Sequence, residues 1–141
     1  ILRYEIEKGL FNESISVKAL PDVWNDKMEE YLGVRPSSNS EGVLQDVHWS
    51  GGAFGYFPSY TLGAMYACQF YSKMLLDIND ISKQIKEGNF SCIKKWLNDN
   101  IHKAGRLYSP ENLLYKVTGD SINPDFFISY LKQKYGQIYS L

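Results

Sequence analysis

The sequence predicts an all-α fold. Apolar side chains recur every three or four residues in one stretch after another, and proline and glycine stand where such stretches begin and end. No run alternates polar with apolar residues in the period of a strand. Leu2, Ile6 and Leu10 recur at i, i+4 and i+8, with Arg3, Glu5, Glu7 and Lys8 on other faces, so the chain opens on a helix. No capping residue precedes that helix, which is expected to be cut from a longer polypeptide. Arg3 and Glu7 stand i, i+4 on it, a spacing expected to give a weak, solvated ion pair.

A second helix runs from Pro21, suited to a first helical position, through the stripe Trp24, Met28, Tyr31 and Leu32, to a stop at Gly33. Residues 34–44 carry turn formers and no periodicity. From Val47 to Ser72 there is no Asp, Glu, Lys or Arg, yet glycines, Pro58 and hydroxyls break the run before it reaches the roughly 20 apolar residues of a membrane span. A loop feeding a buried helix over about Ser59–Asp77 is expected, with Gly63, Ala64 and Ala67 as a small-residue surface for close packing.

Further helices follow. Ile93, Trp96, Leu97 and Ile101 stripe one that starts near Asn89 or Ser91 and stops at Gly105. Ser109-Pro110-Glu111 starts another, carrying Leu113, Leu114 and Val117 to Gly119, and Asn123-Pro124-Asp125 starts the last, with Phe127, Tyr130, Leu131 and Tyr135. His102 and Lys103 fall in a last turn, where a cation suits the helix dipole, and His102 reads as structural. The expectation is a single helical domain over 1–141.

Composition narrows the function classes. With 44% hydrophobic and 15% aromatic residues the chain can bury a core, which excludes disorder. A net charge of −1 without a basic run excludes the footprint of a nucleic-acid binder. No secretory or membrane address is evident, and Cys68 and Cys92 lack metal-ligand spacing, so a reducing cytoplasm without a disulfide framework is expected.

Chemistry concentrates in Gly42-Val43-Leu44-Gln45-Asp46-Val47-His48-Trp49. Within four residues it offers an amide, a carboxylate and an imidazole, and an Asp can orient a nearby His by accepting its ring proton. Trp49 would add an apolar wall. The same groups read equally well as a buried loop whose polar atoms satisfy one another. Tyr60 falls in the first turn of the charge-free helix, where a phenol can donate to a developing oxyanion. Taken alone, Tyr56 and Tyr60 read more readily as core aromatics. One His and one Asp, with only His102 elsewhere, cannot close a typical zinc site.

The eight-residue string matches every fixed position of the G-x-x-Q-D-x-H-W motif of the Taq-type carboxypeptidases. The following G-Y-F-P-x-Y-T-L-G run, Leu2–Glu7, Leu20–Met28, Trp96–His102 and Tyr130–Tyr135 resemble that family's flanking helices, so the similarity covers nearly the whole chain. The resemblance implies the C-terminal, substrate-side part of a helical metallocarboxypeptidase that removes C-terminal residues from short peptides. It implies a divalent metal, zinc or cobalt, in the full-length enzyme, held on an H-E-x-x-H helix plus a further Glu. No H-E-x-x-H occurs here, so no metal is expected in this chain and the chain alone is expected to be inactive.

Carried over, the catalytic residues are His48 and Tyr60, with Tyr56 as fallback, and Gln45 and Asp46 orient His48. Trp49, Tyr56, Gln45, Asp46 and Arg3 form the substrate-binding set, Arg3 as an electrostatic partner. The implied partners are a short peptide, the N-terminal part of the same enzyme and, through uncovered apolar surface, further copies of the chain. The competing class is a non-catalytic helical interaction module built on the same scaffold.

Overall fold

A computed structural model describes residues 1–141, and every regular element in it is helical. The chain divides into two compact units, residues 1–61 and 62–141. In the first, α1 (Leu2–Phe11) packs on α2 (Leu20–Leu32), and a loop containing a short 3-10 turn, Val43–Gln45, leads into the first turn of α3 (Pro58–Asp77). The stripes read from sequence supply the core. Leu2, Ile6, Trp24 and Val43 are buried, with Leu10, Leu20, Val23, Met28 and Trp49 against them. A buried side chain of this kind contributes about 1.5–3 kcal/mol, so this cluster fixes the angle between α1 and α2. Ser16 accepts from the Ala19 N–H at 3.2 Å and opens the turn that leads into α2.

The second unit holds the rest of α3 with α4 (Ile81–Lys86), α5 (Ser91–Asn100), α6 (Pro110–Thr118) and α7 (Asp125–Tyr139). Met74, Ile81 and Trp96 are buried under Phe70, Ile78, Ile93, Leu97, Ile101 and Val117. The Trp96 indole N–H donates to Asp77 at 2.9 Å. Leu114 and Gln69 are also fully buried. Gln69 donates to the Ser121 carbonyl at 3.0 Å and accepts from the Asn123 N–H at 3.1 Å, which ties α3 to the turn before α7.

Four local expectations are corrected. The charge-free helix does not lie in the interior: α3 buries only Gln69 and Met74, and Leu75 and Leu76 are exposed. Gly63 makes no close helix contact, since a Cβ there would meet nothing within 4 Å. α4 has no counterpart among the expected helices, because six residues with only Ile81 and Ile85 on one face carry too little periodicity. α5 ends at Asn100, and a 3-10 turn, His102–Ala104, fills the span to Gly105. His102 therefore lies beyond the helix, with Nδ1 3.0 Å from the Asn98 side-chain oxygen. No helix is long and apolar enough to cross a membrane, and Cys68 and Cys92 are free thiols.

Candidate active site

The motif is folded onto the first unit's core by its own residues. Gly42 is buried where a Cβ would approach Asn25 Oδ1 to 3.1 Å and Trp24 Cδ1 to 3.3 Å, so the loop sits on α2 with almost no room for a side chain. Val43 beside it is a core residue. Beyond Asp46 the backbone closes a tight turn, with Gly51 N–H donating to Val47 O at 3.0 Å and Ala53 N–H to His48 O at 2.8 Å. That turn, with buried Phe57, places His48 and Trp49 against aromatic neighbours. The Trp49 ring meets Trp24 edge-on at 6.3 Å and Phe57 at 5.7 Å. Trp49 thus packs on the core at the base of the site.

His48 stands among three rings. Tyr56 stacks on it at 5.8 Å, Phe57 is tilted at 4.9 Å and Tyr60 is edge-on at 6.3 Å. Its Nε2 lies 3.3 Å from the Tyr60 hydroxyl. Its Nδ1 is buried without a hydrogen-bond partner, and the nearest carboxylate oxygen, Asp46 Oδ1, is 3.7 Å away. The other oxygen of Asp46 accepts from Arg3 Nε. The Arg3 guanidinium lies over the Trp24 and Phe57 rings at 5.4 and 5.6 Å. Arg3, Asp46, His48 and Tyr60 therefore form one continuous polar line across an aromatic floor.

The Tyr60 phenol titrates above its ordinary value, first because of the neighbouring Tyr56 side chain and then through desolvation and the Asp46 charge. At neutral pH it keeps its proton and remains a donor. Two relations expected from sequence are not found. Gln45 does not hold His48, because its amide turns back to the Ser40 carbonyl on the exposed side of the loop. Arg3 does not pair with Glu7; its partner is Asp46. Glu7, read as solvated, is buried and accepts from the Gly55 N–H, with its other oxygen 3.5 Å from Trp49 Nε1. The signal available for it was slight, a carboxylate directly beside Ile6 on the apolar stripe.

Residues 1–135 match the Carboxypeptidase Taq (M32) metallopeptidase family, and the chain belongs to that family. It is 46% identical to carboxypeptidase 1 of Bacillus subtilis over its whole length, covering 28% of that protein. Against thermostable carboxypeptidase 1 of Pyrococcus furiosus it is 42% identical over 96% of the chain, covering 27% of that protein. The crystal structure of an M32 carboxypeptidase from Deinococcus radiodurans matches with a TM-score of 0.95 at 32% identity, over 99% of this chain and 28% of the other. Metallocarboxypeptidase 1 of Trypanosoma cruzi matches at 0.91 with 40% identity, over 95% of this chain and 28% of the other. The chain spans little more than a quarter of the length of these relatives.

Membership of a metallopeptidase family implies a divalent metal in the full-length enzyme. The residues present do not fit that role. Nowhere do three His, Cys, Asp or Glu side chains come together as a metal would require. At the site, Asp46 is engaged by Arg3 and Glu7 by Gly55, which leaves His48 without a companion ligand.

Proposed function

We propose that this chain is the C-terminal, substrate-side wall of a metal-dependent carboxypeptidase that hydrolyses C-terminal residues from short peptides. The observation that carries the reading is the 3.3 Å approach of His48 Nε2 to the Tyr60 hydroxyl beside a complete G-x-x-Q-D-x-H-W motif. Two groups able to donate stand side by side within one aromatic cluster. A substrate oxygen placed there can be bound by both, and its bonds strengthen as negative charge develops on it. Asp46, with one oxygen fixed by Arg3 and the other 3.7 Å from His48 Nδ1, flanks the ring on the side away from Tyr60. Arg3 spends only Nε on Asp46, so its terminal nitrogens are left to attract a peptide carboxylate. Tyr56 and Trp49 provide aromatic surface near the same point.

The metal, zinc or cobalt, and the base that acts with it belong to the part of the enzyme N-terminal to this chain, in a cytoplasmic protein. The chain alone is inactive in this reading. In a full-length enzyme containing it, His48→Ala is expected to lower kcat by roughly two to three orders of magnitude, as for loss of one oxyanion donor. KM and metal content should change little. Tyr60→Phe should act in the same direction, and the double variant should be less than additive if both donors serve one oxygen. Steady-state kinetics on a short peptide decides it. A rise in KM alone would make His48 a substrate grip, and no effect on either constant would favour a non-catalytic helical module.

A further inference from the structure

Glu7 is the only buried charged side chain in the protein. A buried carboxylate is costly unless its oxygens are engaged. Those of Glu7 are spent on two points of one loop. One oxygen accepts from the backbone N–H of Gly55, and the other lies 3.5 Å from the indole nitrogen of Trp49. Trp49 directly follows His48, and Gly55 directly precedes Tyr56, whose ring stacks on the imidazole at 5.8 Å. Between these two points the loop is held by short turns of its own, including Ala53 N–H to His48 O at 2.8 Å and Phe54 N–H to Gly52 O at 3.1 Å. Two side chains of α1 reach this loop: Phe11, whose ring meets Phe54 edge-on at 5.3 Å, and Glu7, which supplies the polar tie from a helix whose Leu2 and Ile6 are locked in the core.

We propose that Glu7 is a positioning residue for the active site, its one carboxylate clamping both feet of the 49–55 loop and so holding His48 and Tyr56 in place beside Tyr60. The inference rests on the reading of His48 and Tyr60 as the working pair. It makes the reach of the side chain the property that matters and its charge incidental. Glu7→Gln keeps the reach and an oxygen that can accept from Gly55, but turns its NH2 toward the Trp49 indole N–H, so one foot of the clamp is released. Glu7→Asp keeps the charge but withdraws it by one methylene from both donors.

Two measurements test this. In the 141-residue chain, hydrogen exchange over residues 50–57 should accelerate most in Glu7→Asp and Glu7→Ala and least in Glu7→Gln, with residues 110–141 unchanged in all three. In the full-length enzyme, Glu7→Asp and Glu7→Ala should lower kcat, by about a hundredfold for a displacement near 1 Å, with little change in KM, and Glu7→Gln should lower it less. The reverse order, Asp active and Gln impaired, would overturn the clamp in favour of a role for the charge. Loosening of every segment alike would reduce Glu7 to a folding residue. Glu7→Asp with parental turnover in an enzyme that His48→Ala impairs would also overturn the proposal. If His48→Ala itself changes nothing, the catalytic reading fails and the positioning role with it, while exchange at Gly55 still reports whether the clamp exists.

Discussion

Gln69 shows how much a single side chain can hold in this protein. It is 1% exposed, and its amide satisfies the carbonyl of Ser121 and the N–H of Asn123, both more than fifty residues away. Gln69→Leu fills similar space but removes its hydrogen bonds to the Ser121 carbonyl and the half-buried Asn123 N–H, at about 1 kcal/mol each. The denaturation midpoint of the variant should fall accordingly, and an unchanged midpoint would mean that the turn before α7 holds itself. Glu7 plays the same role in the first unit, bridging from α1 to a loop nearly fifty residues on. Neither role could be read from local pattern. A polar residue beside an apolar stripe looks the same whether it reaches inward to a distant backbone group or outward to water.

Among the elements, α6 is the clearest case of a helix whose ends are written in its sequence. Ser109 accepts from the Asn112 N–H at 3.2 Å, Pro110 occupies the first turn, and Gly119 ends the helix at φ 84°. Ser109→Ala should cost about 1 kcal/mol. Gly119→Ala should cost about 1–2 kcal/mol, the price of a Cβ in left-handed backbone, because no neighbour within 4 Å would add a clash. Chemical denaturation measures both. A neutral Gly119→Ala would show that the cap relaxes to another conformation. Signals of this kind also announce α2 and the start of α7, whereas α1 shows only its apolar stripe. They failed for α4, which is short and has no capping side chain, and for the end of α5, where glycine follows a 3-10 turn instead of ending the α-helix.

At the scale of the whole molecule, charge and apolar surface each lead to an expectation. Lys103 and Lys95 both reach Asp99 at 2.5 Å and draw its carboxyl down from 3.8 to about 2. Lys73 and the Trp96 indole lower Asp77, and Lys27 and Tyr31 lower Glu5. A depressed folded-state value means stability that is present above the unfolded value and lost as pH falls through the folded one. Stability should therefore decline from about pH 4 toward pH 2. The effect should be small and weaker in high salt, since these pairs are exposed and screened. Thermal unfolding across that range at two salt concentrations checks both parts. Leu76 at 81% exposure, Tyr139 at 66% and Ile138 at 60% leave apolar surface uncovered. The isolated chain should self-associate in sedimentation, and a monomer at high concentration would count against that.

Helix type, most helix ends and the family were legible in the sequence, and the motif also singled out His48 as the candidate. Periodicity, capping chemistry and an eight-residue motif are local properties, fixed by residues a few positions apart. Tertiary structure alone decided that Arg3 meets Asp46 and not Glu7, that Glu7 reaches Gly55, that Gln45 turns away to Ser40, and that α3 stays largely exposed. Each of the first two pairs joins residues more than forty positions apart. A stripe tells which face of a helix turns inward, but the residue waiting across from it is set by how the helices pack and the loops close, and no local pattern records that.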